Sequence, residues 1–444
     1  MSFASLPELA ALDSTAGGVR IPPGDTVPLT PRVRALLDTA EMRRLSRVSQ
    51  LGLVALVYPG AVHSRLEHSL GVYRLALEFL RRLQAEPPFV EVVDEADAAA
   101  FVVAALVHDI GHWPFCHPIE DMGLAEVPRH ESLVEGILAA GGIAEVLETD
   151  WGVSPGRIAE LITGTAGDRA GRVLHSLLSG PVDVDKMDYL ARDSLHAGVP
   201  YGRNFDQPRL LANLCLDGRG AGLAITDKGR TAAELMVFAR YVMFSEVYWH
   251  HAVRAATGML QRAFWILRHS AVPATLVRTD DHAFVSWITA AAAGTAAEPL
   301  VAGLFGPRRR LYKRVASFDA LHRPAVHAAF AGRPYDQVVT ICGRLAETLS
   351  ARIGASISPD ALLIDAPPAE REVEFKLQVR ERADTGGFSW RRLEDLSPVV
   401  RSLAHEQFDD LVKRVRVFVA ADVADAVRRC GSLDDLLLAA AETV

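Results

Sequence analysis

The apolar run from Ala98 to Val107 ends directly on two polar residues, His108 and Asp109. A run of this length falls well short of the roughly 18–20 residues a membrane span needs. It therefore predicts a helix buried in a protein core. A buried helix that stops on an imidazole and a carboxylate delivers two metal-ligating side chains to whatever packs against its end. Two other segments complement it: Arg65-Leu66-Glu67-His68-Ser69 upstream and Asp183-Val184-Asp185-Lys186-Met187-Asp188-Tyr189 downstream. His68, His108, Asp109 and Asp185 then make a mixed nitrogen and oxygen ligand set on three segments. Such a set suits a hydrolytic Mn, Mg, Fe, Co or Zn ion better than calcium or a structural zinc.

With 444 residues, half of them hydrophobic, the chain is long enough for one large domain with an appendage, or for two or three domains. The net charge of -8, with acidic and basic residues intermixed, excludes a basic nucleic-acid scaffold. Cys116, Cys215, Cys342 and Cys430 are scattered and form no CxxC pair, which argues against a disulfide framework and fits a reducing compartment. The first residues carry no basic segment followed by an apolar core, so no signal peptide is expected and the predicted location is cytoplasmic, with no membrane partner.

Residues 1–30, rich in Pro, Gly and Thr, read as an N-terminal extended arm. Helical periodicity covers 31–53, 64–84, 95–109, 131–140, 154–163, 170–179 and 183–196, and one long amphipathic helix is predicted from Lys228 to His269. Strand signals are sparse until the C-terminal part. Ala221 to Ile225 is a weak candidate; Ala361 to Asp365, Glu372 to Arg380 and Arg414 to Val419 are stronger. The expected fold is mainly α, with a helical core over 31–270 and a smaller C-terminal helical and α+β region over 271–444.

His112 and His117 follow the His-Asp pair in a segment whose Gly and Pro residues keep it a loop over the metal. His117 and Glu120, three apart, can meet on one helical turn as an acid/base unit. His130-Glu131 offers a second such pair, or a helix N-terminus with a favourable acidic residue. Arg65 and Lys186 lie next to the ligands and are placed to hold an anionic substrate. In the aromatic-rich stretch 240–254, Tyr241, Phe244, Tyr248 and His251 fall at helical spacing as a core stripe. Arg240, Tyr248 and Arg254 are alternatively the wall of a nucleotide pocket.

His68, His108-Asp109 and Asp185 match the H…HD…D pattern of the HD-domain phosphohydrolase superfamily. The strings His63 to Val72, His108 to His117 and Asp183 to Asp193 resemble its deoxynucleoside triphosphate triphosphohydrolases. The similarity is close from about Leu36 to Gly258 and weak beyond. It implies an HD helical core over 31–270 and metal-dependent hydrolysis of a dNTP to deoxynucleoside and triphosphate. It further implies metal ligation by His68, His108, Asp109 and Asp185, and proton and phosphate handling by His112, His117, Glu120, His130 and Glu131. Arg65, Lys186 and Arg240 would meet the triphosphate, Gln50, Leu51, Tyr189 and Asp193 the deoxyribose, and Tyr248 the base. Homo-oligomers from dimer through tetramer to hexamer, and a nucleotide effector, belong to the same implication. Trp249 and Phe244 stand where the animal enzymes have Gln and His, and Ser46 where an effector-binding Arg is expected, so base and effector preference stay open. Two rivals remain: a phosphohydrolase of another nucleotide (monophosphate, cyclic nucleotide or alarmone), and a non-catalytic sensor of nucleotides or single-stranded nucleic acid.

Overall fold

The computed structural model describes residues 3, 5–14, 17–270, 273–368, 376–383, 386–442 and 444, the side chains of 273 and 274 excepted. The molecule is mainly helical, with a smaller sheet-containing C-terminal part. Three helices carry the expected metal ligands, and each starts on a side chain that accepts from its first turn. Ser64 caps Arg65–Leu83, Asp94 caps Glu95–Val107 and Asp183 caps Val184–His196. The first two pack together, and the third lies across the Arg65–Leu83 helix. Every residue from Ala98 to Val107 is buried, which accounts for the unbroken apolar run.

Two helical expectations break in the structure. The stretch 31–53 divides into Pro31–Leu37, Ala40–Leu45 and a 3₁₀ turn Gly52–Leu56, because Thr39 caps a fresh helix start by accepting from the amide of Met42. The long helix from 228 to 269 is interrupted: Arg230–Met243 runs into the π-turn Phe244–Tyr248, and a new helix, His251–Leu267, begins where His250 accepts from the Ala252 amide. The π-turn absorbs an extra residue and re-aims the aromatic stretch, a device common beside functional sites.

The N-terminal residues hold a short helix, Pro7–Ala11, and a hairpin of Val19–Ile21 with Asp25–Val27. Buried Glu8 ties them to the core by accepting from Thr30 Oγ1 at 2.6 Å and Arg32 Nε at 2.9 Å. A four-stranded sheet has the order Leu214–Leu216, Leu223–Thr226, Gln378–Arg382, Phe388–Arg392; its middle pair is parallel. Glu372 to Phe375, the first half of one expected strand, lie outside the described residues. A three-stranded antiparallel sheet sets Val415–Val419 between Lys313–Phe318 and Leu362–Asp365. The Lys313–Phe318 strand was not expected; its basic, exposed first residues mask the alternation.

The largest hydrophobic core gathers residues from Phe3 to Val253 and takes in Leu377, Val379, Leu393, Val400 and Phe408 from the C-terminal part. A second core joins the His251–Leu267 helix to Trp113, Cys116 and Ile119. A third lies under the three-stranded sheet.

Candidate active site

His68 and His108 meet between their two helices, Nε2 to Nε2 at 3.1 Å. Asp185 Oδ1 lies 3.0 Å from His68 Nε2 and 3.8 Å from His108 Nε2. The far nitrogens are spoken for. His68 Nδ1 is 2.8 Å from Asp188 Oδ2 and His108 Nδ1 is 2.9 Å from the Ala105 carbonyl. Both partners can only accept, so both protons sit on Nδ1. Both Nε2 atoms therefore converge beside the Asp185 carboxylate, an arrangement that fits a divalent cation once His68 Nε2 gives up its proton. Asp109 adjoins this trio, with Oδ1 3.4 Å from His108 Nε2, but it is not among the three whose ligand atoms all lie within 4.8 Å of one another.

Burial alone would lower the pKa of His68. The hydrogen bonds that His68 donates to Asp185 and Asp188 outweigh burial and push the ring up to about 10. Burial likewise opposes ionisation of Asp109, yet the neighbouring cationic groups, including Arg65 at 2.8 Å, hold it well below the usual carboxylate range. Burial and Arg65 together hold His112 well below the usual imidazole range.

Asp109 connects the trio to a second group. Its Oδ1 is 3.1 Å from His112 Nδ1, and His112 Nε2 is 3.2 Å from His117 Nε2. The His130 ring lies 3.8 Å from that of His112, centroid to centroid. Glu120, paired by spacing with His117, instead takes His130: Oε1 accepts from its amide at 2.8 Å and Oε2 from Nδ1 at 2.9 Å. Two bonds to one residue fix the loop 121–129 as it returns over His112. Glu131 lies at the edge, 3.5 Å from His130 Nε2 and 44 % exposed.

The expected substrate residues surround these groups. Arg65 is buried, and its Nε has no partner among the described residues; nor has Gln50 Oε1. Leu51 is half-buried against the core. Lys186 reaches Asp183 Oδ2 at 2.7 Å and feels the charge of Arg240. Arg240 stacks on Phe244 and Phe408 at 5.4 and 5.9 Å. Both oxygens of Asp193 are engaged, by Tyr248 Oη at 2.6 Å and His63 Nε2 at 3.0 Å; the Tyr189 ring lies 6.4 Å from that of Tyr248. Arg254 is not brought to this wall. It forms a buried ion pair with Asp365 at 2.6 Å and stacks on Trp249.

Several supporting residues escaped the sequence reading. Asp188 orients His68, and Arg192 holds both Asp188 oxygens at 2.8 Å while also reaching Glu67 at 2.9 Å. Their signal was present: Asp188 and Arg192 follow Asp185 and Asp188 by three and four residues, on one helical face. The approach of this ion pair requires Gly71, where a Cβ would sit 1.9 Å from Asp188 Oδ1. Arg44 donates to the carbonyls of Ile110 and His112 at 2.7 and 2.8 Å and so braces the turn after the His-Asp pair. Nothing in its amphipathic helix distinguishes it from its neighbours. Gly111 lets that turn close, since a Cβ there would sit 2.2 Å from the His130 carbonyl oxygen.

The HD domain model matches residues 65–193, and the HD associated region model matches residues 205–437, more than half of the chain. The chain belongs to the HD-domain phosphohydrolase superfamily. An uncharacterized protein of Methanocaldococcus jannaschii is 30% identical over 374 residues, 83% of this chain and 72% of that one. An uncharacterized protein of Bacillus subtilis is 36% identical over 235 residues, 51% of this chain and 50% of that one. The chicken deoxynucleoside triphosphate triphosphohydrolase SAMHD1 is 30% identical over 270 residues, 54% of this chain and 43% of that one. The chain spans about half the length of most of the curated relatives it matches. A crystal structure of a Bacteroides thetaiotaomicron phosphohydrolase shares the fold with a TM-score of 0.68 at 21% identity, covering 91% of this chain and 99% of that one. A hypothetical protein of Aquifex aeolicus does so with a TM-score of 0.69 at 23% identity, covering 93% and 98%. None of the helices among the described residues is long and apolar enough to cross a membrane.

Proposed function

We propose that this HD-domain phosphohydrolase is a dNTP triphosphohydrolase that releases deoxynucleoside and intact triphosphate. One observation carries the reading: polar side chains, each 3.0–3.4 Å from the next, run from Asp185 and His68 through His108, Asp109 and His112 to His117, with His130 and Glu120 beside it. One end suits a cation, the other proton transfer. The similarity to the chicken and human deoxynucleoside triphosphate triphosphohydrolases supports the choice of substrate.

A divalent ion held by His68, His108, Asp109 and Asp185 would supply Lewis-acid polarisation of the phosphoryl oxygens. The remaining work falls to the chain. Arg65 Nε, a buried donor without an acceptor among the described residues, meets an α-phosphate oxygen; Lys186 and Arg240 carry positive charge to the rest of the triphosphate. His117 moves the proton of the attacking water, with His130 oriented beside it by Glu120. The bond from the α-phosphorus to the 5′-oxygen breaks, the water oxygen joins the triphosphate, and the 5′-oxygen takes up a proton. Tyr189 and Asp193 bound the sugar, Tyr189 excluding a 2′-hydroxyl, with Tyr248 nearer the base.

The test is to incubate the protein with each dNTP, singly and mixed, and with rNTPs, under Mg, Mn or Co, and to separate the products. Deoxynucleoside plus triphosphate is expected. Monophosphate plus pyrophosphate, or no turnover under any metal, overturns the reading. His117→Ala should keep its metal and lose about 10²–10⁴-fold in turnover.

A further inference from the structure

We propose that His112, Cys116, His117 and His130 form a second cation site, distinct from the His68–His108–Asp185 set, which takes a soft divalent ion of the zinc type and, when filled, silences the enzyme. The silencing rests on the acid/base roles given above; the binding does not. One ligand atom from each residue lies within 4.8 Å of all the others. Zinc bound at 2.0–2.1 Å by nitrogen and about 2.3 Å by sulfur sets tetrahedral donors roughly 3.3–3.6 Å apart. The His112 and His117 Nε2 atoms already stand 3.2 Å apart.

The far nitrogen of His130 is held as in a metal centre. His130 Nδ1 donates to Glu120 at 2.9 Å, which leaves its Nε2 as a lone pair; Asp109 lies 3.1 Å behind His112 Nδ1 without a hydrogen bond to it. Carboxylates behind ligating imidazoles fix the tautomer and strengthen the ligand. Three imidazoles and a thiolate select zinc or its analogues over Mg or Mn. Cys116 and His117 are adjacent, and the chain must reverse between them and His112. It does so at Phe115, a non-glycine residue with φ of 54°, held between Phe284 and Phe305 at 5.3 and 5.6 Å. Solvent-exposed His117 provides the entry, and Glu120 and Glu131 supply negative charge. Without a cation, burial pushes the Cys116 thiol up to about 12. As the sulfur–metal bond forms, that proton leaves to solvent.

The lone pairs of His117 and His130 are then occupied, and neither ring can carry a proton for hydrolysis. Cobalt separates the two sites, because only the second contains sulfur. The metal-free protein should bind two equivalents of Co(II) in equilibrium dialysis, one accompanied by sulfur-to-cobalt charge-transfer absorption in the near ultraviolet. Cys116→Ser should lose that band and one equivalent, while His68→Ala should lose the other equivalent and keep the band. In turnover assays, zinc should inhibit the wild type and leave Cys116→Ser active. A single equivalent with no sulfur band overturns the proposal, as does a band that survives in Cys116→Ser; neither bears on dNTP hydrolysis. Absence of dNTP hydrolysis with the band present would instead remove the functional reading alone. Should Cys116→Ser fail to fold, His130→Ala must abolish the sulfur-bearing equivalent.

Discussion

In the C-terminal sheet, buried Asp365 takes Arg254 at 2.6 Å and Arg416 at 3.4 Å, and Trp249 packs against both guanidiniums. In the helical core, His68 and His108 turn their Nε2 atoms to each other at 3.1 Å beside Asp185. Both clusters gather polar groups, the first buried and the second open at Asp185. The first is largely closed: both guanidiniums face the carboxylate, and among the described residues only Arg416 Nε is left without an acceptor. In the second, two imidazole nitrogens and a carboxylate face one another, and a proton on His68 or a cation in its place must hold them together. The orientation of lone pairs therefore separates a structural cluster from a site more sharply than burial does.

The largest effect that can break this contrast is loss of His68. His68→Ala removes a lone pair from the open cluster and should abolish metal binding. Turnover should fall on the order of 10³-fold or more, the equivalent of several kcal/mol of metal assistance. Metal analysis and steady-state rates, with circular dichroism to confirm folding, check it; a metal-loaded, active variant would show that the convergence of nitrogens is incidental. Next comes the closed cluster. Asp365→Ala leaves two buried guanidiniums unpaired and should cost about 3–5 kcal/mol of stability in urea unfolding. Metal affinity should not change. If stability is unaffected, the cluster is not closed in the sense argued.

The two clusters also differ in how visible they are in sequence. The open one could be read because its ligands end or begin helices whose caps and apolar runs have strict local patterns: Ser64, Asp94 and Asp183 start the three helices, and Ala98 to Val107 buries one of them. The closed one was hidden. Arg254 and Asp365 are separated by 111 residues, and Arg254 lies in a stretch whose aromatic content suggested a nucleotide wall. The π-turn at Phe244–Tyr248 and the break at His250 were equally hidden, because a single extra residue in a helix leaves its amphipathic period almost intact. The pairing of Glu120 with His130 depends on the return of the loop 121–129, which spacing along one helix cannot foresee.

A subtler test loosens the open cluster without removing a ligand. Asp188→Asn keeps the size of the side chain but weakens its grip on His68 Nδ1 at 2.8 Å. Outer-shell changes of this kind weaken metal affinity by about 10–100-fold. Isothermal titration with Mn or Co measures the change. An unaltered affinity would mean that the Nδ1 proton does not need Asp188 to hold it.

The gentlest perturbation is pH, and here the two states of the open cluster should part. In the metal-free protein His68 is pushed up to about 10, from an ordinary value of about 6.5. The folded chain therefore binds this proton more tightly than the unfolded chain does. The resulting stability is fully present below about pH 6.5 and is lost progressively as pH rises towards 10, by at most about 1.4 kcal/mol per pH unit. A metal ion must displace the same proton, so its apparent affinity should rise by up to about tenfold per pH unit across that window. Thermal unfolding from pH 6 to 10, with and without Mn, reads both effects. The metal-free protein should weaken with pH while the gain from adding metal grows, and Asp188→Asn should flatten both trends. Parallel curves for the two forms would mean that His68 is already neutral without a metal.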